Sequence, residues 1–233
     1  MSGMRAVGIL LTASLLLASS AAVAQKKKRK GDFQPDSAAV GDQPSKVLER
    51  AFKLYDADDF SQASIELNKV IEGETGDTEG NKQKAEFWMG KALYNMKYYS
   101  AALSYFDRVV QKGPAHAYYR ATLKWLASLS RQLPDSTGIL EKIGKYNRAE
   151  LDEPALEKVK DELYFLLGKF NYQKGNFKEA VALFGAVPPS SEFYVQAKLF
   201  EGATHVRELK AKPAVEAFKE VLRVSTESSD AKV

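Results

Sequence analysis

Small and aromatic residues in this chain recur at a spacing of 34, and a fixed period of that length limits the fold more than any other feature. Leu167-Gly168 is followed by Gly175-Asn176-Phe177, Ala180 and Phe184, and Gly202 is followed by Ala214 and Phe218. The steps from 168 to 202, from 180 to 214 and from 184 to 218 are each 34 residues. Self-similarity on this scale predicts stacked helix-turn-helix units, each with an apolar face that only a neighbour can bury. No alternating β-branched run bounded by turn residues competes with helix in the body of the chain.

The pattern appears twice nearer the start. Gly90 precedes Tyr94, Tyr99, Ala102, Phe106 and Pro114; Ala51 precedes Tyr55, Phe60, Ala63 and Leu67. These two units are 39 residues apart, and the excess over 34 falls in Glu72 to Lys82, a polar run with Gly73, Gly76 and Gly80 that reads as a lengthened loop. From Gly90 to Gly168 is 78 residues, which leaves room for one degenerate unit. Its first helix is expected over Tyr118 to Leu133, its turn at Pro134 to Gly138 and its second helix over Ile139 to Tyr146, with 147–157 as connection.

These residues resemble the tetratricopeptide repeat, whose pattern runs Leu-Gly, Tyr, Gly-x-aromatic, Ala, aromatic, Pro. The resemblance implies an all-α, right-handed superhelical solenoid of about five helix-turn-helix repeats. The expected division is a signal peptide at 1–24, a basic flexible linker at 25–44, a repeat domain at 45–223 and a tail at 224–233. The units fall at about 44–77, 83–116, 118–147, 161–190 and 195–223. Glycine inside a helix costs roughly 0.5–1 kcal/mol relative to alanine, so its recurrence calls for a packing reason. We expect Gly90, Gly168 and Gly202 to face Ala102, Ala180 and Ala214 where paired helices approach, with Ala51 in place of the first glycine and Ala63 among the packing residues of the first unit. Phe60, Tyr99 and Phe177 are expected to fill the turns, and Phe106, Phe184 and Phe218 the junctions with following units.

Residues 1–24 follow a different logic. Arg5 supplies a positive start, Val7 to Leu17 is apolar, and Ala22-Val23-Ala24 is a small-x-small site before Gln25. That order predicts a secretory signal peptide cut after Ala24. The chain has no cysteine, which excludes both acylation at this site and any disulfide framework. Lys26-Lys27-Lys28-Arg29-Lys30 follows directly, and loop positive charge tends to stay cytoplasmic. An uncleaved inner-membrane anchor is therefore the alternative, since 6–24 is an uncharged stretch near spanning length. The basic run reads as a solvated tail or as a tether to an anionic surface.

Net charge is +4, but the excess is local. Without Arg5 and the basic run, 28 Lys plus Arg (34 less 6) face 30 Asp plus Glu. No basic face is concentrated for nucleic acid. Chemistry finds little support either. His116 and His205 stand without partners at ligand or triad spacing, and no zinc or nucleotide motif occurs. Asp56-Ala57-Asp58-Asp59 lacks the glycine and distal glutamate of a calcium loop. We expect no catalytic residue, no cofactor, no metal and no nucleic-acid partner.

Recognition remains. The family turns first-helix side chains toward a concave groove that holds a peptide or helix. Matching positions here are Phe52, Tyr55, Phe87, Trp88, Lys91, Tyr94, Phe165, Lys169, Tyr172, Phe200 and Arg207. Aromatic residues with a few cations are typical of binding hot spots. The carboxylate clamp of the family's co-chaperones is absent, because Leu48, Phe52 and Trp88 occupy its places. Too little chain follows Val224 for a capping helix, so the last repeat is expected to dock on another protein, on a second copy, or on further repeats. The function expected is a non-enzymatic scaffold in the periplasm or at the cell envelope, serving outer-membrane, cell-wall, secretion or motility machinery. The alternative is an accessory subunit or activator of a cell-wall enzyme.

Overall fold

The computed structural model describes residues 43–134 and 138–230. The expected signal peptide, the basic run and nearly all of the linker lie outside them. Eleven α-helices and no strand are present among the described residues. Four pairs are regular: α1 (Lys46–Asp56) with α2 (Phe60–Ile71), α3 (Glu79–Asn95) with α4 (Tyr99–Lys112), α8 (Lys160–Lys174) with α9 (Phe177–Gly185), and α10 (Tyr194–Arg207) with α11 (Ala211–Asp230). Between α4 and α8 stand α5 (Tyr119–Ser130) and the short α6 (Ile139–Ile143) and α7 (Arg148–Leu151). None of these helices is long and apolar enough to cross a membrane.

Each regular pair reverses over two or three residues, through one residue in the left-handed region. That residue is Asp58, Lys97, Gly175 or Leu209, with φ of 60°, 65°, 79° and 59°. Glycine holds the position once, and side chains accept the strain in the other three turns. The starts of α1 and α2 are fixed by side chains: Ser45 accepts from the Leu48 amide at 3.1 Å, and Asp59 from the Gln62 amide at 3.1 Å. The lengthened loop is shorter than the sequence implied, because α3 begins at Glu79 and absorbs Gly80. Asp77 pins this loop to α1 by accepting from the Ser45 amide at 3.0 Å and from Asn81 Nδ2 at 3.0 Å.

Packing runs from each helix to the next, with α2 against α3, α4 against α5 and α9 against α10 joining one pair to its successor. The glycines have a different reason from the one expected. Ala51, Ala63, Ala102, Ala180 and Ala214 are indeed buried. The atoms that a Cβ would strike, however, belong to phenylalanine rings sixteen residues on. A Cβ on Gly90 would stand 2.7 Å from Phe106, one on Gly168 2.6 Å from Phe184, and one on Gly202 2.5 Å from Phe218. The first pair has Ala51 and Leu67 at the same offset, both fully buried. Alanine fits where the facing side chain has no ring. The turn aromatics also recur as expected: Tyr55 meets Phe60 at 5.1 Å between centroids, Tyr94 meets Tyr99 at 5.3 Å and Tyr172 meets Phe177 at 6.3 Å.

The middle of the chain departs from the repeat. The second helix expected over 139–146 stops at Ile143, and the expected connection at 147–157 folds into α7 and a 3-10 turn, Pro154–Leu156. Asn147 restarts the chain with a capping box closed by Glu150. This segment belongs to the core, since Leu151 and Leu156 are fully buried. Likewise the expected tail is helical as far as Asp230, where α11 ends.

Candidate functional site

The first helices of the pairs bring their aromatics together in two clusters. Helical spacing puts Lys84, Trp88, Lys91 and Asn95 on one side of α3, next to α1. Trp88 takes the edge of Tyr55 at 4.7 Å and lies 5.0 Å from Phe52. Lys91 Nζ sits 3.5 Å from the centroid of a Trp88 ring and 5.0 Å from that of Tyr55. Lys84 Nζ lies 5.0 Å from the Phe52 ring, and burial pushes the pKa of its ammonium down. Asn95 donates to the Tyr55 hydroxyl at 2.9 Å. Tyr94 meets the edge of Trp125 on α5 at 5.2 Å, so the aromatic row continues into the irregular unit.

The second cluster repeats the first 78 residues later. Lys169, Tyr172 and Phe165 stand where Lys91, Tyr94 and Phe87 stand. Lys169 Nζ lies 5.7 Å from the Phe165 ring and 5.9 Å from that of Phe200. Tyr172 packs edge-on to Phe200 at 5.7 Å, and the Arg207 guanidinium lies 5.2 Å from Tyr172 and 4.9 Å from Phe177.

Two expected groove residues are not presented to solvent. Phe87 and Phe165 are buried. Phe87 stacks on Tyr118 at 4.8 Å, and Phe165 stacks on Phe193 at 5.7 Å. Both rings serve the joint between consecutive units. Phe52, Tyr55, Trp88, Lys91, Tyr94, Lys169, Tyr172 and Phe200 are half-buried, and Arg207 is exposed. Sequence reasoning missed Lys84 and Trp125. Lys84 precedes Trp88 by one helical turn, which is a readable signal; Trp125 lies in a unit without the glycine register, so nothing aligned it.

Some cations elsewhere are held by carboxylates, while others, such as Arg108 and Lys174, also lie over rings. Arg131 grips the buried Glu162 through Nε and Nη2 at 3.0 and 2.9 Å. Lys112 holds Glu86 at 2.9 Å, and Lys142 holds Asp107 at 3.0 Å. His116 has a packing role. Its Nδ1 accepts from the Tyr118 amide at 3.1 Å, and its Nε2 faces Glu86 at 3.5 Å, tying α3 to the α4–α5 link. Among the described residues no group of three or more His, Cys, Asp or Glu is placed to hold a metal.

The fold is a tetratricopeptide-type solenoid. Solved structures with a similar course of helices include MamA protein, at 14% identity and a TM-score of 0.49 over 80% of this chain and 94% of that one. Residues 41-end of MamA from Desulfovibrio magneticus RS-1 match at 19% identity and a TM-score of 0.42, over 78% and 94%. A Podosopora anserina protein with nearly identical TPR-like repeats matches at 12% and 0.42, over 78% and 94%. Likeness at this level concerns the course of the chain and adds nothing on partners. No protein-family profile matches the sequence, and no curated protein matches it.

Proposed function

We propose that the chain is a non-enzymatic protein–protein interaction scaffold that holds a partner peptide or helix along the face of its first helices. One observation carries this reading. On that face Lys84, Lys91, Lys169 and Arg207 all rest over aromatic rings. A cation over a ring contributes roughly 0.5–2 kcal/mol. Half-buried rings then offer apolar area, and the cations beside them give the face positive charge. Aromatic and arginine side chains in such settings are the common anchors of protein interfaces. The partner best suited brings apolar or aromatic side chains to Trp88, Tyr94, Tyr172 and Phe200.

The proposal includes export to the bacterial envelope, which the order of Arg5, apolar run and Ala22-Val23-Ala24 supports. A mature chain beginning at Gln25, seen by intact mass, is the expected result; retention of Met1 would place the repeats behind an uncleaved anchor. For the groove, a photo-crosslinking residue at position 88 should capture a partner in envelope extracts, while one at Ile65 on α2 should not. Trp88→Ala and Tyr94→Ala should abolish pulldown of that partner with helicity unchanged. Capture that survives both substitutions would place the site elsewhere.

A further inference from the structure

Five of the seven large apolar side chains exposed among the described residues belong to the α10–α11 pair: Leu199, Val206, Leu209, Val215 and Leu222. The repeat register shows how other pairs use these positions. Leu48, Phe87 and Phe165 occupy the place of Leu199 and are 0%, 6% and 5% exposed, against 48% for Leu199. Leu103 matches Val215 and Val110 matches Leu222; they are 7% and 4% exposed, against 49% and 66%. Tyr94 and Tyr172 match Val206, and each lies against an aromatic of the next unit, Trp125 or Phe200. Part of that cover comes from the following unit, since Phe87 stacks on Tyr118 and Phe165 meets Phe193 and Phe200. The remaining counterparts of Val215 and Leu222, which are Ser64, Val181, Ile71 and Pro188, are half-buried. Here the apolar side chains are in place, and among the described residues no helix covers them. Leu209, 92% exposed at its left-handed turn position, extends the same apolar edge.

We propose that the α10–α11 face formed by Leu199, Val206, Val215 and Leu222 docks an amphipathic helix of a partner polypeptide. That helix would sit as α3 sits on α1–α2 and as α10 sits on α8–α9. The seated helices define its chemistry. The α3 helix brings Ala85, Met89 and Ala92, and α10 brings Ala197, Glu201 and Thr204 at the same spacing. All but Glu201 are buried there. The partner therefore carries small or unbranched side chains at i, i+4 and i+7, which let its backbone approach closely. A second copy joined head to tail does not qualify. Its α1 presents Lys46, Arg50 and Lys53 at those positions, all exposed, and would press three cations onto aliphatic side chains.

The α3 sequence supplies a probe. A labelled synthetic peptide of residues 79–95 is titrated into the full chain and followed by fluorescence anisotropy. Saturable binding is expected. It should weaken at least tenfold for Leu199→Glu and for Leu222→Glu, and for a peptide carrying Ala85→Glu with Met89→Glu. These protein sites are exposed, so helicity and Tm should hold; Val215→Glu supplies a third, independent break. Absence of binding to the unmodified chain, or binding indifferent to all three substitutions, overturns the proposal. So does a concentration-dependent dimer in light scattering that Leu222→Glu dissolves, because the face would then belong to a second copy.

Discussion

The regular pairs and the irregular middle solve the same problem with different chemistry. In α3–α4, α8–α9 and α10–α11, two helices close on each other because a glycine leaves room for a ring sixteen residues later. The middle unit has no such glycine in α5. There Tyr119 and Tyr146 stack at 4.1 Å, and each donates its hydroxyl to a backbone carbonyl beside the other. Tyr119 donates to Lys145 at 2.8 Å, and Tyr146 to the Tyr119 carbonyl at 2.8 Å. Polar groups buried with satisfied partners hold a short, irregular segment that apolar complementarity alone would leave underdetermined. The regular pairs are set by volume; the middle adds hydrogen bonds to one such fit of its own, Gly144 against the Phe170 ring of α8, which a Cβ would strike. The middle also depends on Arg131, which joins the end of α5 to the buried carboxylate of Glu162 on α8.

That contrast sets the order of expected effects. Arg131→Ala should cost most, about 3 kcal/mol in urea denaturation, because it leaves a buried carboxylate with only the Ser130 hydroxyl. A loss below about 1 kcal/mol would show that water replaces the guanidinium and that the middle is looser than its hydrogen bonds imply. Next comes Gly168→Ala, expected to destabilise by about 2 kcal/mol through overpacking against Phe184, although alanine is the better helix former. Adding Phe184→Leu should recover much of that loss, since Ala51 with Leu67 is a natural example of the combination. A coupling of about 1 kcal/mol or more in the double-mutant cycle is the expected readout; additive effects would break the volume argument.

Tyr146→Phe should cost about 1 kcal/mol, the usual worth of one hydrogen bond. Amide exchange should rise near α6 and stay unchanged in α10–α11 if the clasp acts locally. The smallest effect is on pH dependence. Salt bridging and hydrogen bonding by Arg50 hold Glu66 below its ordinary 4.5. For Glu86 burial pushes upward, but His116 and Lys112 outweigh it, and the net direction from 4.5 is down. A carboxylate with a depressed folded pKa stabilises fully above its unfolded value and loses that contribution as pH falls through the folded one. Tm should therefore hold from pH 7 to about 4.5 and fall below it. Glu86→Gln should flatten that fall while leaving the Gly168 coupling untouched.

Much of the architecture was legible from spacing. Gly90, Gly168 and Gly202 marked three pairs because a ring at a fixed offset excludes every larger residue, and Ala51 marked a fourth by the same rule with Leu67. The middle was illegible in its second half because Tyr119 and Tyr146 act through hydrogen bonds that no periodicity encodes. Within the candidate site, Trp88, Lys91 and Tyr94 were readable as a helical face. That some of the aromatics pack between units was expected, but that Phe87 and Phe165 would be the ones was not, since exposure at a first-helix position depends on which ring the next unit brings.

The sequence by itself determined the number of regular pairs and their register, because steric exclusion between a glycine and a ring is a local rule repeated along the chain. Only the tertiary structure decided which apolar side chains are consumed by neighbours and which stand open. Leu199 and Phe165 are equivalent in the repeat; α10 covers one and no described helix covers the other. Burial belongs to pairs of surfaces, and a single strand of letters names only one of the two.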